Sequence, residues 1–268
     1  MSRLRLFCGF AVVQSLVLGA FASIADAGLM ESPINIATAD AVYAPGLPSL
    51  LFNYATSANL ILTDINATNT EGTVRAVVNT ASSLGFNGRT FNLLQFHFHA
   101  GAEHAVNDHL AAMEMHFVHQ SSSDGSFLVV SRLMEIGIGD NPLLAPIFSG
   151  MHLIPHSGDT LPLTGFDITA LLPEDKSVYR YDGSFTTSPY TTGVLWNIFA
   201  AAPLLVSQNQ LDTFLDLFPS GDARELQPLG SRMVYLVPEP SASIIAIIGL
   251  GVAGLSRRQK RQWLKKAA

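Results

Sequence analysis

Apolar and polar residues along the middle of the chain recur mostly with period two. Six short runs alternate in this way, at residues 73–78, 90–99, 113–120, 127–134, 193–199 and 233–237, with turn-forming residues between them. Alternation puts successive side chains on opposite faces, the signature of half-buried strands. Two segments carry a helical period instead. Asn141 before Pro142 reads as an N-cap with proline at the first helical position, ahead of Leu143, Leu144, Ile147, Phe148 and Met151. Ser207 with Gln210 reads as a capping box ahead of Leu211, Phe214, Leu215, Leu217 and Phe218. No internal repeat and no low-complexity linker divides residues 28–236. The pattern predicts one mainly-β domain, built on a mostly antiparallel sheet with a few short peripheral helices.

The two ends are patterned differently. Arg3 and Arg5 precede an apolar run from Leu6 to about Ile24, and Ala25-Asp26-Ala27 offers a small-residue cleavage site. Residues 1–27 therefore read as a secretory signal peptide. At the other end, Val237-Pro238-Glu239-Pro240 leads to an apolar run, Ile244 to Leu255, and a tail carrying Arg257, Arg258, Lys260, Arg261, Lys265 and Lys266. The run is short for a stable span, which needs about 20 residues. A permanent membrane anchor is the competing reading of this segment. The three parts in order resemble the PEP-CTERM sorting signal of Gram-negative bacteria. The resemblance implies that residues 237–268 touch a membrane transiently and are removed by an exosortase-type enzyme. It places the processed protein in the periplasm, at the outer surface or in the extracellular matrix.

Charge supports that division. The chain of 268 residues has a formal charge of −6, but residues 28–238 hold 7 basic and 19 acidic side chains, so the middle is acidic. A basic excess, the footprint of a nucleic-acid binder, is missing. The one cysteine, Cys8, lies in the leader. The mature protein is expected to have no disulfide and no cysteine-ligated metal.

The segment with the most chemistry is Gln95-Phe96-His97-Phe98-His99. In a strand, Gln95, His97 and His99 point one way, and Leu94, Phe96 and Phe98 point the other, toward a core. In the run 113–119, Glu114, His116 and Val118 share one face, while Met115, Phe117 and His119 share the opposite one. If the two strands pair, His97, His99 and His116 converge. Three imidazoles with an open fourth position suit a catalytic zinc ion. Gln95 and Glu114 would accept from ligand N–H groups and orient the rings. Ordinary sheet histidines are the competing reading. His119 is out of phase and reads as buried and structural. His104 and His109 are, with His119, the competing candidates; His109 lies in a polar stretch, Asn107-Asp108-His109, that reads as a turn, while His152 and His156 show no ligand spacing.

Several motifs now fall in order: Glu31-Ser32-Pro33-Ile34-Asn35-Ile36, Gln95 to His99, Glu103-His104, Glu114 to His119, Gly183-Ser184-Phe185-Thr186-Thr187, Trp196, and Arg224, Gln227-Pro228-Leu229 and Arg232. Together they resemble the α-class carbonic anhydrases over residues 31–232. The resemblance implies a large twisted, mostly antiparallel sheet with zinc at the base of a conical cleft. It also implies reversible hydration of CO2 to bicarbonate and a proton by zinc-bound hydroxide. His97, His99 and His116 would hold the metal. Thr186 would accept the hydroxide's hydrogen bond, and Glu103 would hold Thr186 in that orientation. Val118, Val130, Phe185, Thr187, Val194 and Trp196 would form the substrate pocket.

The chain departs from the family in places. The stretch matching the family's proton-shuttle turn reads Asn69-Thr70-Glu71-Gly72-Thr73 and has no histidine. This implies slow proton transfer and dependence on buffer. Asp222 stands where asparagine is usual, and Tyr190 where many bacterial members have a disulfide cysteine. The other function compatible with the sequence is a catalytically silent carbonic-anhydrase-like module that binds a surface or matrix partner; a zinc store is a third.

Overall fold

In the computed structural model the described residues are 30–65 and 72–239. The expected signal peptide, most of the stretch expected to match the shuttle turn and nearly all of the sorting signal therefore lie outside the described residues. Seven strands frame the site: β1 (Ala58–Ile65), β2 (Thr73–Val78), β3 (Arg89–Ala100), β4 (Met113–Ser121), β5 (Phe127–Ile136), β6 (Val178–Ser184) and β7 (Thr192–Phe199). They lie side by side in the order β1-β2-β3-β4-β5-β7-β6. All neighbours are antiparallel except β5 and β7, which run parallel. Thr160–Phe166 extends the sheet beyond β1, and Tyr235–Val237 and Val42–Tyr43 extend it beyond β6. Ile34 and Ile36, from the Ser-Pro-Ile-Asn-Ile motif, are fully buried.

The two faces of β3 and β4 divide the molecule. Phe96, Phe98, Met115 and Phe117 enter a large apolar core. Burying each such side chain contributes about 1.5–3 kcal/mol. The helices α1 (Ala145–Met151) and α2 (Gln208–Leu217) cover this side, with Phe148 5.6 Å from Phe98. The opposite face carries the histidines and a smaller cluster of Val118, Val129, Val194 and Trp196.

Three expectations are corrected. The Asn141 side chain accepts from Leu143 N–H, but the segment it opens is a turn; α1 begins at Ala145, with Pro146 in its first turn. Leu94 is 39% exposed and does not join the core face. Here Val118 pairs with Gln95 while His119 pairs with Leu93, so the bulge leaves Leu94 without a partner. Strands β1 and β6 and the strand Thr160–Phe166 go beyond the expected runs. Asp64, Pro162 and Gly165, and Arg180 and Asp182 interrupt the alternation that would have marked them. By contrast, α2 has its capping box: Ser207 Oγ accepts from Gln210 N–H, and the Gln210 side chain accepts from Ser207 N–H.

Candidate metal centre

Register brings the histidines together. His97 on β3 sits opposite His116 on β4, and β2 places Arg75 on the other side of His97. His99 is one pleat further along β3. The ring centroids lie 5.0, 5.2 and 4.7 Å apart for the pairs 97–99, 97–116 and 99–116. Each ring offers a nitrogen, and the three nitrogens lie within 4.8 Å of one another.

The other nitrogen of each ring faces an acceptor. His97 Nδ1 is 2.9 Å from Gln95 Oε1, and His116 Nε2 is 2.8 Å from Glu114 Oε1. His99 Nδ1 is 3.0 Å from Asp222 Oδ2, though off line for a strict hydrogen bond. A carboxylate or amide oxygen only accepts, so it fixes the proton on the nitrogen it faces. The lone pairs left over are on His97 Nε2, His99 Nε2 and His116 Nδ1.

Glu114 is fully buried and receives four donors. Besides His116, Oε1 accepts from His104 Nδ1–H at 2.8 Å and from the Ser131 hydroxyl, and Oε2 accepts from His104 N–H at 2.7 Å. The other ring nitrogen, His104 Nε2, lies 2.7 Å from the Tyr181 hydroxyl, which donates to Ser32 Oγ at 2.8 Å. His104 is thus a fixed strut behind the site. His119 is buried on the opposite face against Tyr54 and the Leu128 carbonyl.

The electrostatics follow from burial and from three carboxylates behind the rings. Burial, then the neighbouring histidines, holds His97 well below the usual imidazole range; burial lowers His116 as well. Burial also opposes protonation of His99, but the charges of Glu103 and Asp222 outweigh it and raise its pKa to about 10. Burial raises Glu114, yet His104 and His116 outweigh that and hold it well below the carboxylate range.

A cavity of about 150 Å³ opens above the rings, lined by Thr73, Arg75, Gln95, Val118, Val129, Phe185, Thr186, Thr187 and Trp196 among others. The expected contacts differ in two places, the apolar wall and Glu103. Val130 pairs with Phe117 and faces the large core, while Val129 pairs with Val118 and lines the cavity. A one-residue slip in a strand exchanges its faces. Val194 is on the cavity side but packs in the smaller cluster and does not form part of the wall. The second difference is at Glu103. It makes no hydrogen bond to Thr186: Oε1 accepts from Arg224 N–H at 3.1 Å, and Oε2 lies 3.6 Å from His99 Nε2 and 3.8 Å from His116 Nδ1. With one oxygen held by the Arg224 backbone, the other turns to the imidazoles.

Two residues here had no assigned role in the sequence. Asp222 approaches His99 and also accepts from Ala100 N–H at 2.9 Å; it comes from a loop 122 positions away, so only the fold shows it. Arg75 had a sequence signal, a lone charge inside the strand 73–78. The remaining motifs hold the frame. Arg224 bonds Ser32 O and Glu31 and lies 3.6 Å over the Tyr190 ring, while Arg232 bonds three backbone carbonyls.

Comparison with known proteins agrees with this geometry. The family model for eukaryotic-type carbonic anhydrase matches residues 21–238, and that for the PEP-CTERM protein-sorting motif matches residues 236–261. A carbonic anhydrase of Klebsiella pneumoniae is 35% identical over 211 residues, covering 77% of this chain and 80% of that one. One from Nostoc is 32% identical, covering 77% and 75%. The α-carbonic anhydrase of Thermovibrio ammonificans, solved with sulfanilamide, superposes with a TM-score of 0.69 at 33% identity, covering 78% of this chain and 87% of that one. That of Photobacterium profundum also gives 0.69, at 30% identity and 82% and 95% coverage. The chain thus belongs to the eukaryotic-type, or α-class, carbonic anhydrase family and ends in a PEP-CTERM sorting motif.

Proposed function

We propose that the protein hydrates CO2 reversibly to bicarbonate and a proton, using a zinc ion held by His97, His99 and His116. The observation that carries this reading is the set of three convergent ring nitrogens, each backed by an acceptor on the far side of its ring. The donor chemistry fits zinc. Neutral imidazoles with fixed tautomers are its usual ligands. Glu103 Oε2 is buried without a hydrogen-bond partner beside two of the rings, an arrangement that a cation offsets. The negative field that favours a proton on His99 favours a metal in its place.

Zinc, when bound, supplies Lewis acidity that makes water deprotonable near neutral pH. The chain's own residues do the rest. Val118, Val129 and Trp196 give CO2 an apolar wall on which water competes poorly. Thr186 at the wall offers a hydroxyl to orient the attacking oxygen. Gln95, Glu114 and Asp222 keep the three rings aimed.

Proton removal is the weak step in this reading. Residues 69–73 contain no histidine, and Glu71, with an ordinary pKa near 4, is poorly matched to relay protons at neutral pH. Export follows from the ends: the signal peptide is removed near Gly28 and the sorting segment by an exosortase-type enzyme, leaving the protein outside the inner membrane of a Gram-negative cell. Among the described residues no helix is long and apolar enough to cross a membrane. Stopped-flow hydration in increasing imidazole buffer tests both parts. The expected result is turnover that rises with buffer and is abolished in His97→Ala. Turnover independent of buffer overturns the proton-transfer reading, and wild-type turnover no higher than that of His97→Ala overturns the hydration reading.

A further inference from the structure

Strand β2 alternates between the core and the cavity, and it turns one charged residue to the cavity. Arg75 faces His97 across the β2–β3 pair, so the two side chains share a face of the sheet. It lines the cavity with Gln95, Thr73 and Thr187. Of the described wall residues it is the one with a permanent charge.

Its surroundings set it apart from the other described arginines. Arg89 pairs with Asp124, and Arg132 bonds the Leu171 carbonyl. Arg180 bonds Asn197 and the Pro48 carbonyl. Arg224 pairs with Glu31, and Arg232 bonds backbone carbonyls. Arg75 alone among the described arginines has neither an ion-pair partner nor a side-chain hydrogen bond among the described residues, and its Nε is buried. An arginine fork kept half-buried and unpaired is costly unless something binds it. The fork matches a planar oxyanion, which accepts two parallel N–H bonds.

We propose that Arg75 is the anion-binding group of the cleft, holding a small planar oxyanion beside the metal ligands. Given the hydration reading, on which the identity of the natural ligand rests, that oxyanion is bicarbonate. The guanidinium holds the product anion in the cleft, and the same contact makes the cleft sensitive to other small oxyanions. Bicarbonate thus has a residue of its own, separate from the three metal-ligating histidines.

Nitrate is a suitable probe because it is planar, trigonal and unreactive. Thermal unfolding of the zinc-loaded protein is followed as nitrate replaces chloride at constant ionic strength. The expected result is a saturable rise in Tm, with apparent nitrate affinity at least about tenfold weaker in Arg75→Gln, the scale of a lost charged hydrogen bond. Arg75→Lys, which keeps the charge without the fork, should fall between them. Arg75→Met, which fills the space of the stem, gives the same readout if the glutamine variant misfolds. Inhibition of hydration by nitrate should weaken in parallel. Nitrate stabilisation that is absent, or equal in wild type and Arg75→Gln, overturns the inference. The thermal readout needs no turnover, so a protein that binds nitrate through Arg75 but does not hydrate CO2 removes the proposed function alone.

Discussion

Replacing Glu114 with glutamine separates charge from shape at the most densely bonded point behind the proposed metal centre. The carboxylate is fully buried and accepts from His116 Nε2–H, His104 Nδ1–H, Ser131 O–H and His104 N–H. Glutamine fills the same space but has one oxygen and one amide nitrogen. With its oxygen toward His116, His104 Nδ1 and Ser131, its NH2 confronts the His104 backbone N–H, now 2.7 Å from Oε2. A buried donor left unpaired costs about 1–3 kcal/mol. The His116 ring also loses its anionic acceptor and becomes a weaker metal ligand, an effect typically worth about 10–100-fold in metal affinity, or about 1.4–2.7 kcal/mol. Zinc affinity is measured by competition with a chelator, and stability by denaturant unfolding with zinc removed. Glu114→Gln should lose on both counts. Ser131→Ala, which removes one donor and keeps the charge, should lose less than about 1 kcal/mol in stability. A glutamine variant that binds zinc within about twofold of wild type, well below the usual loss of such a partner, and unfolds at the same midpoint would show that the Glu114 charge supports neither His116 nor the fold.

Other perturbations give separate readouts. His119 is buried, and burial lowers its pKa from 6.5 to about 4. The unfolded chain then binds a proton below 6.5 that the folded one refuses down to about 4, so stability falls as pH drops through that window. Between about pH 7.5 and 4.5, zinc-free wild type should lose about 2–3 kcal/mol more than His119→Gln in denaturant unfolding; equal losses would show that His119 is not held neutral. Gly221 has φ +69°, and a Cβ there would lie 2.6 Å from the Ala100 carbonyl oxygen. Gly221→Ala should therefore cost about 2 kcal/mol or more and, by displacing Asp222, weaken zinc binding in the same chelator assay. Val118→Tyr fills the apolar wall of the cavity, and it should lower CO2 hydration by at least about tenfold while zinc content stays unchanged.

The parts of the fold legible in the sequence are those with an uninterrupted period. Strands β3 and β4 alternate without a break through their histidines, so alternation alone puts His97, His99 and His116 on one face, with Gln95 and Glu114 beside them. The capping box of α2 is legible because its two side chains bond within four residues. Legibility ends where alternation does not fix the phase. Val129 and Val130 are the same residue type, and the pairing of β5 with β4 decides which of them faces the cavity. Leu94 looks like core until the bulge at Val118 and His119 removes its partner. Asp222 is invisible in the sequence as a partner of His99 because a distant loop delivers it. The hydrogen bond between Glu103 and Thr186, implied by family resemblance, depends on how a carboxylate divides its two oxygens, and here the Arg224 backbone takes one of them. Arg75 is an oddity in its strand, but the absence of an ion-pair partner among the described residues is a fact of three dimensions.

The most direct measurement is a zinc titration of the zinc-stripped protein, with metal content and initial CO2 hydration rate read on the same samples. The rate should rise linearly with zinc and break at one equivalent per chain, while His97→Ala stays at the uncatalysed rate throughout. One zinc bound per chain with no hydration above the His97→Ala level would mean that the histidine site is not a hydration centre.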